Sequence, residues 1–375
     1  MPLGNSRETP RRKQGVATMS VAAVSVPGST QVDNELLISA DSHVMEPTDL
    51  WMTRLPSALR DQAPRYPERR VGEGLQRHAG GWDGHERVKE MAVDGVSGEV
   101  LYTSLGMVQF RLEDARLQEA CFRVFNDWLI DYCSASPERL FGIALISLYD
   151  VEHGVQELER CRRAGLRGAM IWQSPPDDMP FWSDRYDPFW SAAQDLEMPV
   201  SLHILTGHAP YMKTAHLREG IEHVRSSVNL KLVEIMNSLY DLIFYGVLDR
   251  FPRMKVVVVE NEVGWLPFAA QQWDYYLSKD EGKADVAKLR QPPSAYFGDQ
   301  IFATFFYDSF GARALPLWGS NVCMWSNDYP HGNSTWPKSR EFIAANLGHL
   351  PPDLRSNVLS GNVARLYNVQ VPSRA

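Results

Sequence analysis

The chain has 375 residues, 44% of them hydrophobic, so it can bury a large core in one big α/β barrel or in two ordinary domains. Its net charge of −8 and pI near 5.7 exclude the basic surface that nucleic acids or anionic membranes require. A small molecule is therefore the expected partner.

The first 33 residues predict a flexible tail, and residues 34–375 predict one folded domain. Arg11-Arg12-Lys13 precedes a weakly apolar stretch, which has the outline of a signal peptide, but polar residues such as Thr18 and Ser20 interrupt it. A tail is the preferred interpretation, with export as the alternative.

The four cysteines have no CxxC spacing, and no apolar run approaches the roughly 20 residues that cross a bilayer. We therefore expect reduced, mostly buried thiols in a cytoplasmic protein that does not span a membrane.

Apolar runs typical of strands alternate with helical patterns from residue 36 onward, as in repeated βα units around a parallel sheet. Eight strands are predicted, at Leu36–Ala40, Gly98–Tyr102, Leu140–Ile146, Gly168–Trp172, Val200–Ile204, Val256–Val259, Ile301–Phe305 and Val322–Ser326. Helical spacing of apolar residues predicts helices at Leu112–Ser134 and Val151–Ala164. This order favours a single (β/α)8 barrel.

Two long stretches lack such a pattern. Residues 47–95 are rich in Pro, Arg, Gly and Trp without firm periodicity, which predicts a long first loop over the barrel mouth. Residues 205–235 follow the fifth strand and predict a lid-like insertion.

Metal-ligand residue types stand at or just after the ends of three of the predicted strands. Asp41 and His43 are two residues apart, so they project on one face of the first strand. His203 ends the fifth strand and Asp328 follows the eighth. In a barrel all four would open on the C-terminal face, where two imidazoles and two carboxylates suit Zn²⁺, Mn²⁺ or Fe²⁺.

Several short motifs resemble one known family when their order and spacing are taken together. They are Asp41-Ser42-His43-Val44-Met45-Glu46-Pro47, His203, Arg250-Phe251-Pro252-Arg253, Gly264-Trp265-Leu266-Pro267, Ser326-Asn327-Asp328-Tyr329-Pro330-His331 and Gly361-Asn362-Val363-Ala364-Arg365. The family is the amidohydrolase superfamily, in the branch that includes aminocarboxymuconate-semialdehyde, γ-resorcylate and 5-carboxyvanillate decarboxylases. The resemblance covers about residues 36 to 370 and implies a TIM-barrel metalloenzyme.

The resemblance assigns one divalent metal, expected to be Zn²⁺ with Mn²⁺ or Fe²⁺ as alternatives, to Asp41, His43, His203 and Asp328. Many relatives carry His-x-His where this chain has Asp-x-His, so the added carboxylate lowers the net charge of the metal site. Relatives also end the sixth strand with a histidine, but here Glu260 stands in that place. Glu260 could be an extra ligand, or a proton donor if burial raises its pKa enough.

Further residues near the strand ends have open roles. The fourth strand ends in Trp172-Gln173-Ser174, without a lysine that could bridge two metals, which predicts a mononuclear site. His331 could hydrogen-bond Asp328, reach the substrate, or make only a loop contact. Four side chains are candidate walls of a substrate pocket: Trp172, His208, Trp325 and Tyr329.

The implied activity is non-oxidative cleavage of a carboxylate from a small aromatic or unsaturated acid, with Asp328 or Glu260 as proton donor. Hydrolysis of an amide, a lactone or a vinylogous carbon–carbon bond by metal-activated water is the alternative, since the same ligands serve both reactions. A barrel that only binds a ligand is a third possibility. The family's habits further imply a homodimer.

Overall fold

Eight short strands form one parallel sheet, and every strand residue is buried. The strands are β1 (Ile38–His43), β2 (Gly98–Tyr102), β3 (Leu140–Leu145), β4 (Gly168–Ile171), β5 (Val200–His203), β6 (Val256–Val259), β7 (Ile301–Phe305) and β8 (Cys323–Trp325). They pair in chain order from β1 to β8 in this computed structural model, which describes residues 32, 34–66, 78–208, 230–280 and 288–370. The predicted (β/α)8 barrel is confirmed.

Helices follow the strands and cover the outside of the sheet. The early helices are α1 (Leu50–Arg54), α2 (Gly84–Asp94), α3 (Ala115–Cys133), α4 (Val151–Arg163) and α5 (Asp187–Asp195). The later ones are α6 (Ile235–Phe244), α7 (Val247–Arg250), α8 (Leu266–Asp280), α9 (Pro293–Asp299), α10 (Ser309–Ala314), α11 (Ser339–Leu347), α12 (Pro352–Ser356) and α13 (Asn362–Tyr367). Asp114 and Asp150 cap the N-termini of α3 and α4, which confirms both helices predicted by periodicity.

Backbone hydrogen bonds join the end of β8 to β1 and bring two ligand-bearing segments together. The amide of Asp328 donates to the carbonyl of Asp41 at 3.1 Å, and the amide of His43 donates to the carbonyl of Tyr329 at 2.6 Å. Asn327 extends the junction, because its amide donates to the hydroxyl of Ser39 at 3.0 Å. Residues almost three hundred positions apart in the chain therefore share one edge of the barrel.

The stretch from 47 to 95 differs from the prediction of an irregular loop, because its last part is helix α2. Asp83 caps this helix, accepting hydrogen bonds from the amides of His85 and Glu86, and Gly95 ends it in the left-handed conformation with φ 73°. The periodicity is hidden because Met91 is the one large apolar side chain on the buried face of α2. Its members are Gly84, Arg87, Met91 and Asp94.

The predicted tail, apart from Val32, and residues 209–229 of the predicted lid lie outside the described residues. All four cysteines are free and buried, as expected. In the part of the chain that the structure describes, no helix is long and apolar enough to span a membrane.

Candidate metal centre

Four potential ligands meet at the C-terminal ends of β1, β5 and β6. Asp41 and His43 share one face of β1, His203 is the last residue of β5, and Glu260 directly follows β6. One ligand atom from each lies within 4.8 Å of the others. Three of these residues were predicted ligands, and the fourth is the glutamate whose role was left open.

The separations between these atoms match those of ligands around one ion. Nε2 of His43 lies 3.4 Å from Oδ1 of Asp41, and Nε2 of His203 lies 3.6 Å from the same oxygen. Nε2 of His203 lies 3.9 Å from Oε2 of Glu260. Ligand atoms about 2.1 Å from one metal lie roughly 3.0–3.5 Å apart at octahedral or tetrahedral angles, so a small inward movement would complete a coordination sphere.

Both imidazoles are held in the tautomer that binds a metal through Nε2. Nδ1 of His43 donates to the carbonyl of Thr103 at 2.8 Å, and Nδ1 of His203 donates to the carbonyl of Ile204 at 2.9 Å. A carbonyl only accepts, so each Nδ1 carries a proton and each Nε2 offers a lone pair. Among the described residues no hydrogen-bond partner reaches either Nε2 or either oxygen of Asp41. These buried, unpaired acceptors fit a cation.

Burial and mutual charges shift the pKa values of three of the predicted ligands, and for Asp41 and His43 the shift favours the form that binds a metal. Burial lowers the pKa of His43, and the charge of His331 lowers it further, which favours the neutral ring that ligates. Burial would raise the pKa of Asp41, but the two imidazoles outweigh burial and hold this pKa below its usual value. For His203 burial lowers the pKa, yet Asp41 outweighs it and the net shift is upward.

Asp328 and His331 form a carboxylate–imidazole pair beside the cluster. Nδ1 of His331 lies 2.7 Å from Oδ1 of Asp328, and the His331 ring stacks on the His43 ring with centroids 4.0 Å apart. Oδ1 of Asp328 is 3.5 Å from Nε2 of His43. Burial lowers the pKa of His331, but the charge of Asp328 outweighs burial and raises it to about 9. The predicted contact between His331 and Asp328 is therefore present.

Two of the acidic residues at the site have a strained backbone conformation. Glu260 has φ 58° and Asp328 has φ 52°, in the left-handed region that non-glycine residues rarely adopt. Such conformations cost about 1–3 kcal/mol each and cluster at functional sites, where surrounding structure enforces them. This backbone directs the Glu260 carboxylate after β6 towards His203 and the Asp328 carboxylate after β8 towards His43 and His331.

Sequence analysis assigned no role to the groups that hold His43 in place. Glu46 is fully buried and accepts hydrogen bonds from the hydroxyl of Thr103 and from the amide of Leu105 at 2.9 Å. The buried guanidinium of Arg87 donates to the carbonyl of His43 at 2.8 Å. Glu46 lies within a motif already singled out, but Arg87 lay in the stretch without periodicity, so no pattern could have identified it.

The four predicted pocket residues fall into two groups. Trp172 and His208 lie together above β4 and β5, where the indole donates to the carbonyl of Phe110 at 3.0 Å and Nε2 of His208 lies 2.7 Å from the same oxygen. Trp325 is fully buried on β8. Tyr329 packs under Arg87, 4.3 Å from its guanidinium carbon, and so serves to anchor α2.

Comparison with known proteins agrees with this geometry. The model of the family described as amidohydrolase matches residues 48–369. The chain belongs to the amidohydrolase family. Its branch of that family includes decarboxylases: a γ-resorcylate decarboxylase from Polaromonas sp. is 27% identical over 256 residues, which span 66% of this chain and 77% of that protein.

Solved structures share the amidohydrolase barrel. The 5-carboxyvanillate decarboxylase of Sphingomonas paucimobilis superposes with a TM-score of 0.71 at 22% identity, over 90% of this chain and 100% of that one. A dihydroxybenzoic acid decarboxylase from Polaromonas sp., solved with manganese and 2-nitroresorcinol, has a TM-score of 0.62 at 19% identity, over 89% and 97% of the two chains.

Proposed function

We propose that this amidohydrolase is a metal-dependent, non-oxidative decarboxylase of a small aromatic carboxylic acid. The observation that carries the proposal is the Asp328–His331 pair at 2.7 Å, placed beside the unpaired buried ligand atoms of Asp41, His43 and His203. These three residues can therefore bind a metal, while Asp328 and His331 transfer a proton. The named decarboxylases among the relatives support the same reaction class.

One divalent ion per chain would be held by Asp41, His43, His203 and Glu260, with Asp328 within reach of the same centre. Its chemistry when bound is to act as a Lewis acid that orients the substrate carboxylate and a neighbouring oxygen. Zinc is the prediction from sequence. With Asp328 beside Asp41 and Glu260, however, the site offers three carboxylates, and oxygen ligands favour Mn²⁺. Mn²⁺ is therefore the competitor to test, in line with the manganese bound by two structural neighbours.

The protein's own residues supply the proton. In this mechanism the Asp328 carboxylate takes the proton of the His331 imidazolium beside it and gives that proton to the ring carbon that bears the departing carboxylate. The electrons of the breaking carbon–carbon bond return to the ring, and carbon dioxide leaves. Water then restores the proton of His331. Glu260 beside His203 acts as an additional metal ligand in this scheme.

Hydrolysis is the second candidate, because Glu260 stands at the end of the sixth strand, where the family resemblance implies a histidine. A carboxylate there could accept a proton from water. The products separate the two reactions: decarboxylation releases carbon dioxide without consuming water, whereas hydrolysis incorporates solvent oxygen into one of two fragments. A barrel that only binds a ligand would turn over neither class of substrate, and failure to bind any transition metal would favour it.

The test begins with elemental analysis of protein purified without a metal-binding tag, followed by carbon dioxide release from 2,6-dihydroxybenzoate and 5-carboxyvanillate with Zn²⁺ or Mn²⁺ loaded. We expect about one ion per chain and turnover of at least one acid. Asp328→Asn should abolish release while the protein still takes up metal, and Glu341→Gln on the surface is the matched control. Near-normal release by Asp328→Asn would exclude the proposed proton donor.

We further propose that the chain forms a homodimer through the aromatic face of α6 and α8. Tyr240 on α6 and Trp273 on α8 pack edge to face, and Phe268 and Tyr276 on α8 are 66% and 63% exposed. Exposed aromatic residues in such density mark interfaces. Phe268→Glu should convert a dimer to a monomer in light scattering, whereas Tyr307→Glu, also at an exposed aromatic residue, should not. A monomeric wild type would contradict the proposal.

A further inference from the structure

A buried carboxylate without a partner lies on the catalytic face, outside the metal cluster. Glu234 is 6% exposed and immediately precedes α6. Neither of its carboxylate oxygens has a hydrogen-bond partner among the described residues. An unpaired buried carboxylate costs several kcal/mol, so proteins rarely keep one unless a ligand compensates it.

Arg111 carries an opposite charge that acts on Glu234, and it is also incompletely paired. Its Nη2 donates to the carbonyl of Leu205 at 3.1 Å, but its buried Nε has no hydrogen-bond partner in the described part of the chain. Burial raises the pKa of Glu234 to about 7, and the charge of Arg111 opposes that shift, so the two groups attract each other. No ion pair joins them, so the buried Nε of Arg111 and both carboxylate oxygens of Glu234 are left without hydrogen-bond partners among the described residues.

The chain topology places Arg111 and Glu234 at the same C-terminal end of the barrel as the metal cluster. Arg111 ends the segment that follows β2, Ser174 follows β4, and Leu205 lies two residues beyond His203 on β5. Gly207 allows Glu234 to pack against this loop because it has no side chain. A Cβ at this position would lie 2.7 Å from Oε2 of Glu234 and 3.0 Å from Cβ of Ser174. These loops all leave C-terminal strand ends, where such barrels bind substrates.

The chemistry between the two groups selects one kind of ligand atom. A carboxylate would be repelled by Glu234, and an ammonium would be repelled by Arg111. A hydroxyl group satisfies both, since its hydrogen donates to the carboxylate and its oxygen accepts from the guanidinium. The flat ring of Trp172 and the imidazole of His208, both bound to the carbonyl of Phe110 beside Arg111, would flank an aromatic ring there.

We propose that Arg111 and Glu234 form a subsite that recognises a hydroxyl group on the substrate ring, at a position away from the carboxylate that is lost. This inference rests on the proposed function, because the metal cluster must fix the other end of the ring. It assigns substrate specificity to two residues that take no part in binding the metal or moving the proton.

The test uses isothermal titration calorimetry on metal-loaded protein with matched acids. The reference is 2-hydroxybenzoate, and its 3-, 4- and 5-hydroxy derivatives are compared with the corresponding methoxy derivatives. Wild-type protein should bind one hydroxy derivative at least tenfold more tightly than the reference, and the methoxy partner should show no gain because it cannot donate to Glu234. Glu234→Met and Arg111→Met should each remove the gain while binding 2-hydroxybenzoate within about twofold of wild type, and Glu341→Gln should retain it.

Thermal unfolding without acid separates recognition from packing. Glu234→Met should raise the melting temperature, because it removes a desolvated charge that only a ligand would compensate. A lowered melting temperature together with an unchanged hydroxyl preference would assign Glu234 a packing role and overturn the inference. Binding of 2-hydroxybenzoate without any hydroxyl preference would overturn the subsite alone. If no benzoate binds to metal-loaded protein, the proposed function fails and the subsite fails with it.

Discussion

Glu99→Gln should strongly destabilise the protein, because it breaks a buried ion pair beneath the metal cluster. Arg87 on α2 is fully buried, and its Nε lies 2.5 Å from Oε2 of Glu99 on β2. An arginine cannot lose its charge at accessible pH. Without Glu99 its guanidinium would be an uncompensated buried cation, still hydrogen-bonded to the carbonyl of His43.

The expected loss follows from this burial. Removing one partner of a buried pair costs roughly 3–5 kcal/mol in free energy of unfolding. With an unfolding entropy of about 2.1 cal/mol/K per residue, a chain of 375 residues loses about 4–6 °C in melting temperature for that change. The opposite variant, Arg87→Met, leaves Glu99 buried without its partner, and burial raises the pKa of Glu99. Its carboxylate can take a proton, so the destabilisation by Arg87→Met should diminish as the pH falls, whereas that by Glu99→Gln should not.

Urea unfolding of both variants between pH 5 and pH 8, followed by circular dichroism, measures these differences. Glu341→Gln is the matched control, because it removes the same charge from a surface residue that pairs with Lys338 at 3.9 Å. The control should change stability by less than about 0.5 kcal/mol. A loss below about 1 kcal/mol for Glu99→Gln, or the same pH dependence for both variants, would refute the reasoning.

Three other changes test the surroundings of the site. Asp83→Ala removes the cap that accepts the amides of His85 and Glu86, so it should cost about 1 kcal/mol in urea unfolding, and no loss would argue against the cap. Glu46→Gln loosens the loop whose Thr103 carbonyl orients His43, so metal affinity in chelator competition should fall about tenfold or more; unchanged affinity would contradict that role. Removing the metal should lower the melting temperature, and restoring it at a hundred times its dissociation constant should return about 2.7 kcal/mol. A melting temperature independent of metal would mean that the folded state binds none.

The barrel and three of the four residues that meet in the candidate metal centre could be predicted without a structure, because their signals are local. Strands buried on both faces are rich in apolar residues, so the eight runs are visible one by one, although β1 also buries the polar residues that carry the site. The period of two places Asp41 and His43 on one face of β1 wherever the rest of the chain lies.

The details of the site depend on contacts between distant segments, which local patterns do not encode. Glu260 joins Asp41 and His203 because left-handed backbone after β6 turns its carboxylate inward, and Asp328 contacts both His43 and His331. The metal-binding tautomer of His43 depends on a carbonyl sixty residues away.

Helix α2 shows the same limit most clearly. Its buried face includes the polar residues Arg87 and Asp94, which are stable there only because Glu99 and Ser339 approach from other elements. A polar side chain normally predicts an exposed position. It can be buried only where the folded protein supplies a partner that replaces the hydrogen bonds the side chain made to water. Strand identity follows from each residue's own affinity for water, whereas the role of a buried polar group depends on what the closed barrel places opposite it.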